Sequence, residues 1–106
     1  MSFGVHVELT SEAPWAENWC SYYALVTNTG STTEDAFELQ HEFFGSDGAQ
    51  LSHGGLGAVS ELAPGAQHRT EEANVMPLAQ GTHKLRVSVW QNGNSVADAV
   101  HEFQVQ

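Results

Sequence analysis

The chain has 106 residues, 41% of them apolar, with thirteen acidic residues against three basic ones and a formal charge of −10. A length of that order sets the expectation of a single domain over 1–106 that buries roughly two thirds of its unfolded surface, with an apolar share typical of folded chains. So strong an acidic excess repels phosphate backbones and anionic lipid headgroups, which removes nucleic acid and membrane surfaces from the expected partners.

A single cysteine, Cys20, cannot close an intrachain disulfide, which favours a reducing compartment or a core that does without one. The opening Met1-Ser2-Phe3-Gly4-Val5 lacks the basic and apolar regions of a signal peptide, and no apolar run approaches bilayer length. No membrane insertion is therefore expected. The expected location is cytoplasmic, or the cell surface or extracellular space if the chain is excised from a longer exported protein.

Alternation of apolar and polar residues dominates the chain. Phe3, Val5, Val7 and Leu9 predict a first strand over 3–10. Pro14 and a polar mix interrupt the pattern over 11–18, where Trp15 and Trp19 are spaced to share one side of a single helical turn. A second strand over 19–27 places Tyr22, Ala24 and Val26 on one face, and Asn28-Thr29-Gly30-Ser31 ends it as a turn. A third, over 36–44, turns Phe37, Leu39, His41 and Phe43 inward and Glu38, Gln40, Glu42 and Phe44 outward.

Gly45-Ser46-Asp47-Gly48 reads as a turn, followed over 49–61 by a glycine-rich stretch that suits short edge strands. Leu62-Ala63-Pro64-Gly65 turns into a strand over 66–73, and a crossover leads to a strand over 84–90 with Leu85, Val87 and Val89 inward. Asn92-Gly93 is a strong hairpin signal. It sets Leu85 opposite His101 and His83 opposite Phe103 in a last strand over 95–105. About seven strands with turns every eight to twelve residues predict an all-β, immunoglobulin-like antiparallel β-sandwich with Greek-key connections.

Three segments carry a family resemblance: Val26-Thr27-Asn28-Thr29-Gly30, Leu62-Ala63-Pro64-Gly65, and Leu78-Ala79-Gln80-Gly81-Thr82-His83 followed by the alternating strand. In that order and spacing the chain resembles CARDB, the cell-adhesion-related domain of bacteria, over about two thirds of its length. Fibronectin type III-like domains share the architecture. The resemblance implies a β-sandwich that acts as a non-catalytic interaction module, binding a protein partner or another copy of itself. The acidic ending usual in the family is replaced here by Trp90 and Val96-Ala97-Asp98-Ala99-Val100.

The residues themselves offer few sites. Lys84 and Arg86 lie between outward Glu38, Glu42, Asp98 and Glu102, a pattern that fixes register rather than marking a site. His41, His83 and His101 share the inner register of adjacent strands, with His41 expected near the start of the 84–90 strand, so three imidazoles at one end of the sandwich could ligate zinc. No His-x-His or His-x-x-x-His pair supports that arrangement, and no metal or cofactor is assigned.

One carboxylate at Asp47 cannot supply the oxygens that calcium needs. Nothing resembles a nucleophile elbow, and Cys20 has no basic neighbour to activate it. Glu71 and Glu72, adjacent in a strand, would point to opposite faces, so no catalytic residue is assigned. The binding candidates are the large aromatic groups Trp90, Phe44, Trp15 and Trp19. Trp15 and Trp19 are expected first as plugs for the open end of the sandwich, and Trp90 is the stronger contact candidate. Two further functions remain in view: a carbohydrate-binding module using the tryptophans, and a metal-dependent enzyme built on the histidines.

Overall fold

A computed structural model describes residues 3–11 and 14–106, and among them eight strands form two antiparallel sheets. They are β1 (Phe3–Leu9), β2 (Cys20–Asn28), β3 (Phe37–Phe44), β4 (Gln50–Val59), β5 (Gln67–Arg69), β6 (Ala73–Val75), β7 (Gly81–Gln91) and β8 (Asn94–Val105). One sheet centres on β2, with β1 on one side and β5 and β6 on the other. The other runs β4-β3-β7-β8. The chain changes sheet after β2, β4 and β6, as Greek-key sandwiches do. Among the described residues no helix is long and apolar enough to cross a membrane.

The expected inner registers hold. Tyr22, Ala24 and Val26 from one sheet meet Phe37, Leu39, Phe43, Leu85, Val87 and Val89 from the other, all buried. Burying side chains of this size stabilises by roughly 1.5–3 kcal/mol each, which is why strict alternation selects this register. The last hairpin also has its expected register, with Leu85 paired to His101 and His83 to Phe103. Asn92 and Gly93 both adopt positive φ (52° and 78°), the paired left-handed geometry that matches strand twist. At the Pro64-Gly65 turn, Ala66 N–H donates to Ala63 O at 3.0 Å and Gly65 takes a φ of 76°.

Three local expectations need correction. The strand expected over 66–73 breaks into β5 and β6, leaving Glu71 and Glu72 outside both. The break falls at Thr70, whose Oγ1 accepts from Ala24 N–H at 2.9 Å while its own N–H donates to Ala24 O. A side chain thus substitutes for the ladder, and the backbone peels away. The stretch over 49–61 forms one ten-residue edge strand instead of short pieces. Its ladder with β3 shifts register twice, and Gly57 takes a φ of 120° beside one of the shifts. Residues 15–18 make no helical turn. Asn18 N–H reaches Trp15 O at 3.3 Å, but Glu17 sits at a φ of 65°.

The two flanks of the sandwich differ. β1 lies against β8 across the sheets and closes one side. No comparable contact joins β4 to β5 or β6 among the described residues, so the other side is open.

Candidate functional site

The open flank carries two of the large exposed apolar residues, Trp19 and Leu78. Trp19, just before β2, is 65% exposed and Leu78, after β6, is 61% exposed. Together with Leu51 and Ser52 of β4, His41 of β3, and Met76 they line a cleft between the sheet edges of about 420 Å³. The loop that carries Trp19 is tied down on two sides. Ala16 N–H donates to Gln106 O at 2.8 Å, and Glu17 N–H donates to Pro77 O at 2.7 Å.

Trp15 is 58% exposed and sits beside the end of the chain, flanked by the Pro14 and Ala16 bonds to Gln106. Neither tryptophan plugs the sandwich. The expectation that they would fails because Val75, Phe103 and Val105 already fill that end of the core.

Behind the cleft lining lie buried polar atoms without partners. Among the described residues nothing hydrogen-bonds Tyr22 Oη, His41 Nδ1 or Ser52 Oγ, although all three atoms are buried. Ser52 lies two pairs along the β3–β4 ladder from Gly54, the partner of His41. The Tyr22 ring stands edge-on to the His41 imidazole, with centroids 5.9 Å apart. Burial, reinforced by His53, lowers the His41 pKa, so the ring is neutral near pH 7. Sequence reasoning placed His41 on the inner face but missed its exposure to the cleft. That exposure depends on which sheet edges meet, and no local pattern encodes it.

The three histidines do not assemble. His41 pairs with Val87 instead of lying near the start of β7. That leaves it four residues from the level of His83, about 13 Å along a strand. His83 is buried in a three-ring cluster with Phe43 and Phe103, its centroid 5.5 and 6.3 Å from theirs and theirs 6.0 Å apart, and its Nδ1–H donates to Gly81 O at 3.1 Å. His101 also stacks on Phe103, with centroids 5.9 Å apart. Among the described residues no group of three or more His, Cys, Asp or Glu could hold a metal ion. Cys20 is buried and its thiol pKa is raised by that burial, with a hydrogen bond to Ser11 offsetting part of the rise.

Trp90 occupies a different surface, the outer face of the second sheet. Its indole Nε1–H donates to Ser88 Oγ at 2.9 Å, so the ring lies along β7 and leaves Ser88 only 2% exposed. The ring lines an open groove with Glu38, Gln40, Ala58 and Asn92. Phe44 is half-buried on the same face beside Lys84 and Thr82. Glu38, the β3 residue opposite Trp90, is six residues from Phe44, about 20 Å along the strand, so the two aromatics serve no common site. Between them Arg86 bridges Glu42 at 3.1 Å and Asp98 at 2.9 Å, the expected charge pattern across three strands.

No family model matches the chain, and no curated protein matches it. Solved structures do. The CARDB domain of a Pyrococcus furiosus protein, crystallised in complex with di-metal ions, superposes with a TM-score of 0.71 at 14% identity, covering 99% of this chain and 88% of that one. A Pseudomonas fluorescens alkylpurine DNA glycosylase bound to DNA matches at 0.66 and 18% identity, with 98% of this chain but only 30% of that one covered. A Bacteroides uniformis beta-glucuronidase matches at 0.66 and 15% identity over 96% of this chain and 13% of the enzyme. The chain therefore spans a small part of both enzymes and nearly the whole of the archaeal domain. What it shares with all three is architecture, and that architecture is the CARDB-type β-sandwich that the sequence resembles.

Proposed function

We propose that this chain is a non-catalytic interaction module that holds a protein partner at the open flank, with Trp19 and Leu78 as the apolar anchors. The observation that carries this reading is the pairing of two large exposed apolar side chains on the rim of a cleft between unjoined sheet edges. Exposed apolar groups gathered around a concavity mark contact surfaces, and tryptophan is enriched among residues that dominate binding energy. A formal charge of −10 sets two copies against each other, so a neutral or basic partner suits the surface better than self-association. The role fits the adhesion-related family whose fold the chain shares.

A second reading has its own observation. Trp90, its indole edge held by Ser88 and with Glu38, Gln40 and Asn92 around the same groove, offers an aromatic surface with hydrogen-bonding groups, which suits a neutral sugar.

A capped peptide alternating leucine with arginine, titrated against the full chain by calorimetry, separates the two. Trp19→Ser with Leu78→Ser is expected to weaken its binding by at least about tenfold, equivalent to about 1.4 kcal/mol, while Trp90→Phe leaves it unchanged. Peptide binding insensitive to Trp19 and Leu78, together with binding of a neutral oligosaccharide that Trp90→Ala abolishes, would transfer the function to the outer face.

A further inference from the structure

We propose that the partner is held by strand addition: an extended segment of it pairs backbone to backbone with the free edge of β4 along Ser52–Gly55 and turns alternate side chains into the cleft. The inference rests on the partner reading above and names the form in which that partner is recognised.

The outer edges of the two sheets are not alike. β1 and β8 lie against each other across the closed flank, and both carry acidic side chains, Glu8 on β1 and Asp98 and Glu102 on β8. β5 and β6 are three residues long apiece. Covering, charge and shortness are the usual ways in which a sheet edge is closed to other chains. β4 has none of them. It runs for ten residues, contains no proline, and holds none of the thirteen acidic and three basic residues of the chain. Among the described residues its only ladder is the one with β3.

Successive residues of a strand point their N–H and C=O groups to opposite edges, so about half of those in β4 face the open side. Two register shifts interrupt the ladder, at Leu51 and Leu56, whose side chains pack on the core. Between them Ser52, His53, Gly54 and Gly55 pair in unbroken register with Phe43, Glu42, His41 and Gln40. That regular stretch is the part able to accept a further strand. Its two glycines leave the backbone bare, and the fold does not require them. A Cβ at Gly54 would come no closer than 3.6 Å to His41 Cε1, and one at Gly55 would meet nothing within 4 Å.

The position of the added strand decides what it presents. Leu51 and Ser52 line the cleft together with Trp19, Met76 and Leu78, so a strand laid about 4.8 Å beyond β4 runs over the cleft mouth. Its residues i, i+2 and i+4 face one way. The fitting segment carries apolar residues at those positions, towards Trp19 and Leu78, and polar residues between them, towards solvent. A helix satisfies its own backbone and would leave the β4 edge unpaired. A second copy of this chain fits less well. Antiparallel pairing of β4 with itself would bring Asp47 of each copy near Glu61 of the other, like charges at both ends.

The test uses the capped leucine–arginine peptide and two isomers of it, N-methylated at every leucine or at every arginine, each titrated into the full chain by calorimetry. All three carry the same side chains and the same charge. Strand addition uses the N–H groups on one edge of the peptide only. One isomer is therefore expected to bind as the parent does and the other at least about tenfold more weakly. Amide hydrogen exchange is the second measurement. On saturation with the parent peptide, alternate amides within Ser52–Gly55 are expected to slow, while their neighbours, already bonded to β3, keep their rates. Isomers that both bind like the parent, still sensitive to Trp19→Ser with Leu78→Ser, would refute strand addition and leave the partner reading intact. Equal weakening of both isomers, with exchange in β4 unchanged, would do the same. A chain that sediments alone as a dimer with those amides already slow would give the edge to a second copy and overturn the proposal. Binding of none of the three peptides would defeat both readings.

Discussion

Val87→Asp is expected to abolish the cooperative thermal transition of the protein. Val87 is fully buried near the centre of β7, paired with His41 on one side and Ala99 on the other, and packed in the cluster that holds Tyr22, Phe43 and Leu85. No cationic side chain lies in that layer to compensate a carboxylate. Whether the group stays charged or takes up a proton, the site loses a packed side chain and gains an unpaired polar one, at a cost of several kcal/mol. Domains of this size have only about 5–15 kcal/mol to lose. Circular dichroism during heating is the measurement. A variant that keeps a sharp melt would mean that the odd-numbered residues of β7 do not face the core.

Asn28→Ala is expected to lose about 2–4 kcal/mol in urea unfolding with little change in the slope against denaturant. Asn28 is completely buried at the end of β2. Its Nδ2 donates to Thr32 O at 2.8 Å and to Leu62 O at 2.9 Å, and its Oδ1 accepts from Gly30 N–H at 2.9 Å. Its backbone adds a bond from its own N–H to Ala66 O and one from Gly65 N–H to its carbonyl. One side chain therefore joins the end of β2 to both the turn that follows it and the turn before β5. Alanine strands the Gly30 amide and leaves a void where the amide group was. A loss below about 1 kcal/mol would show that solvent replaces these bonds freely.

Asn28 also shows where the sequence stops being informative. Followed by Thr29 and Gly30 it reads as an ordinary turn residue, and locally it is one. Its bond to Leu62, thirty-four residues away, is a tertiary fact that no short window contains. The β7–β8 hairpin is the opposite case: Asn92-Gly93 fixes the turn, the turn fixes the register, and His83 and Leu85 meet the partners expected of them. Alternation in β2, β3 and β7 was equally legible, because a residue on the wrong face would expose a hydrophobe or bury a charge.

The site was harder to read than the fold for a physical reason. Trp19, Leu78, His41 and Ser52 come from four separate segments and meet around a cleft between β4 and β6, which form no ladder with each other. The aromatic residues singled out from the sequence divide accordingly. Trp19 rims the cleft, Trp15 stands beside the end of the chain, and Trp90 and Phe44 lie apart on the outer face. The break at Thr70 was hidden in the same way, since a threonine in a strand is unremarkable until its hydroxyl takes the place of a backbone carbonyl.

Amide chemical-shift mapping of the ¹⁵N-labelled chain with the leucine–arginine peptide asks the central question directly. The expected result is a set of perturbed resonances centred on Trp19, His41, Leu51, Ser52, Met76 and Leu78, with Trp90 and its neighbours undisturbed. Perturbations centred on Trp90 and Gln40, or spread evenly over the acidic surface, would contradict the assignment of the open flank as the place where this sandwich meets its partner.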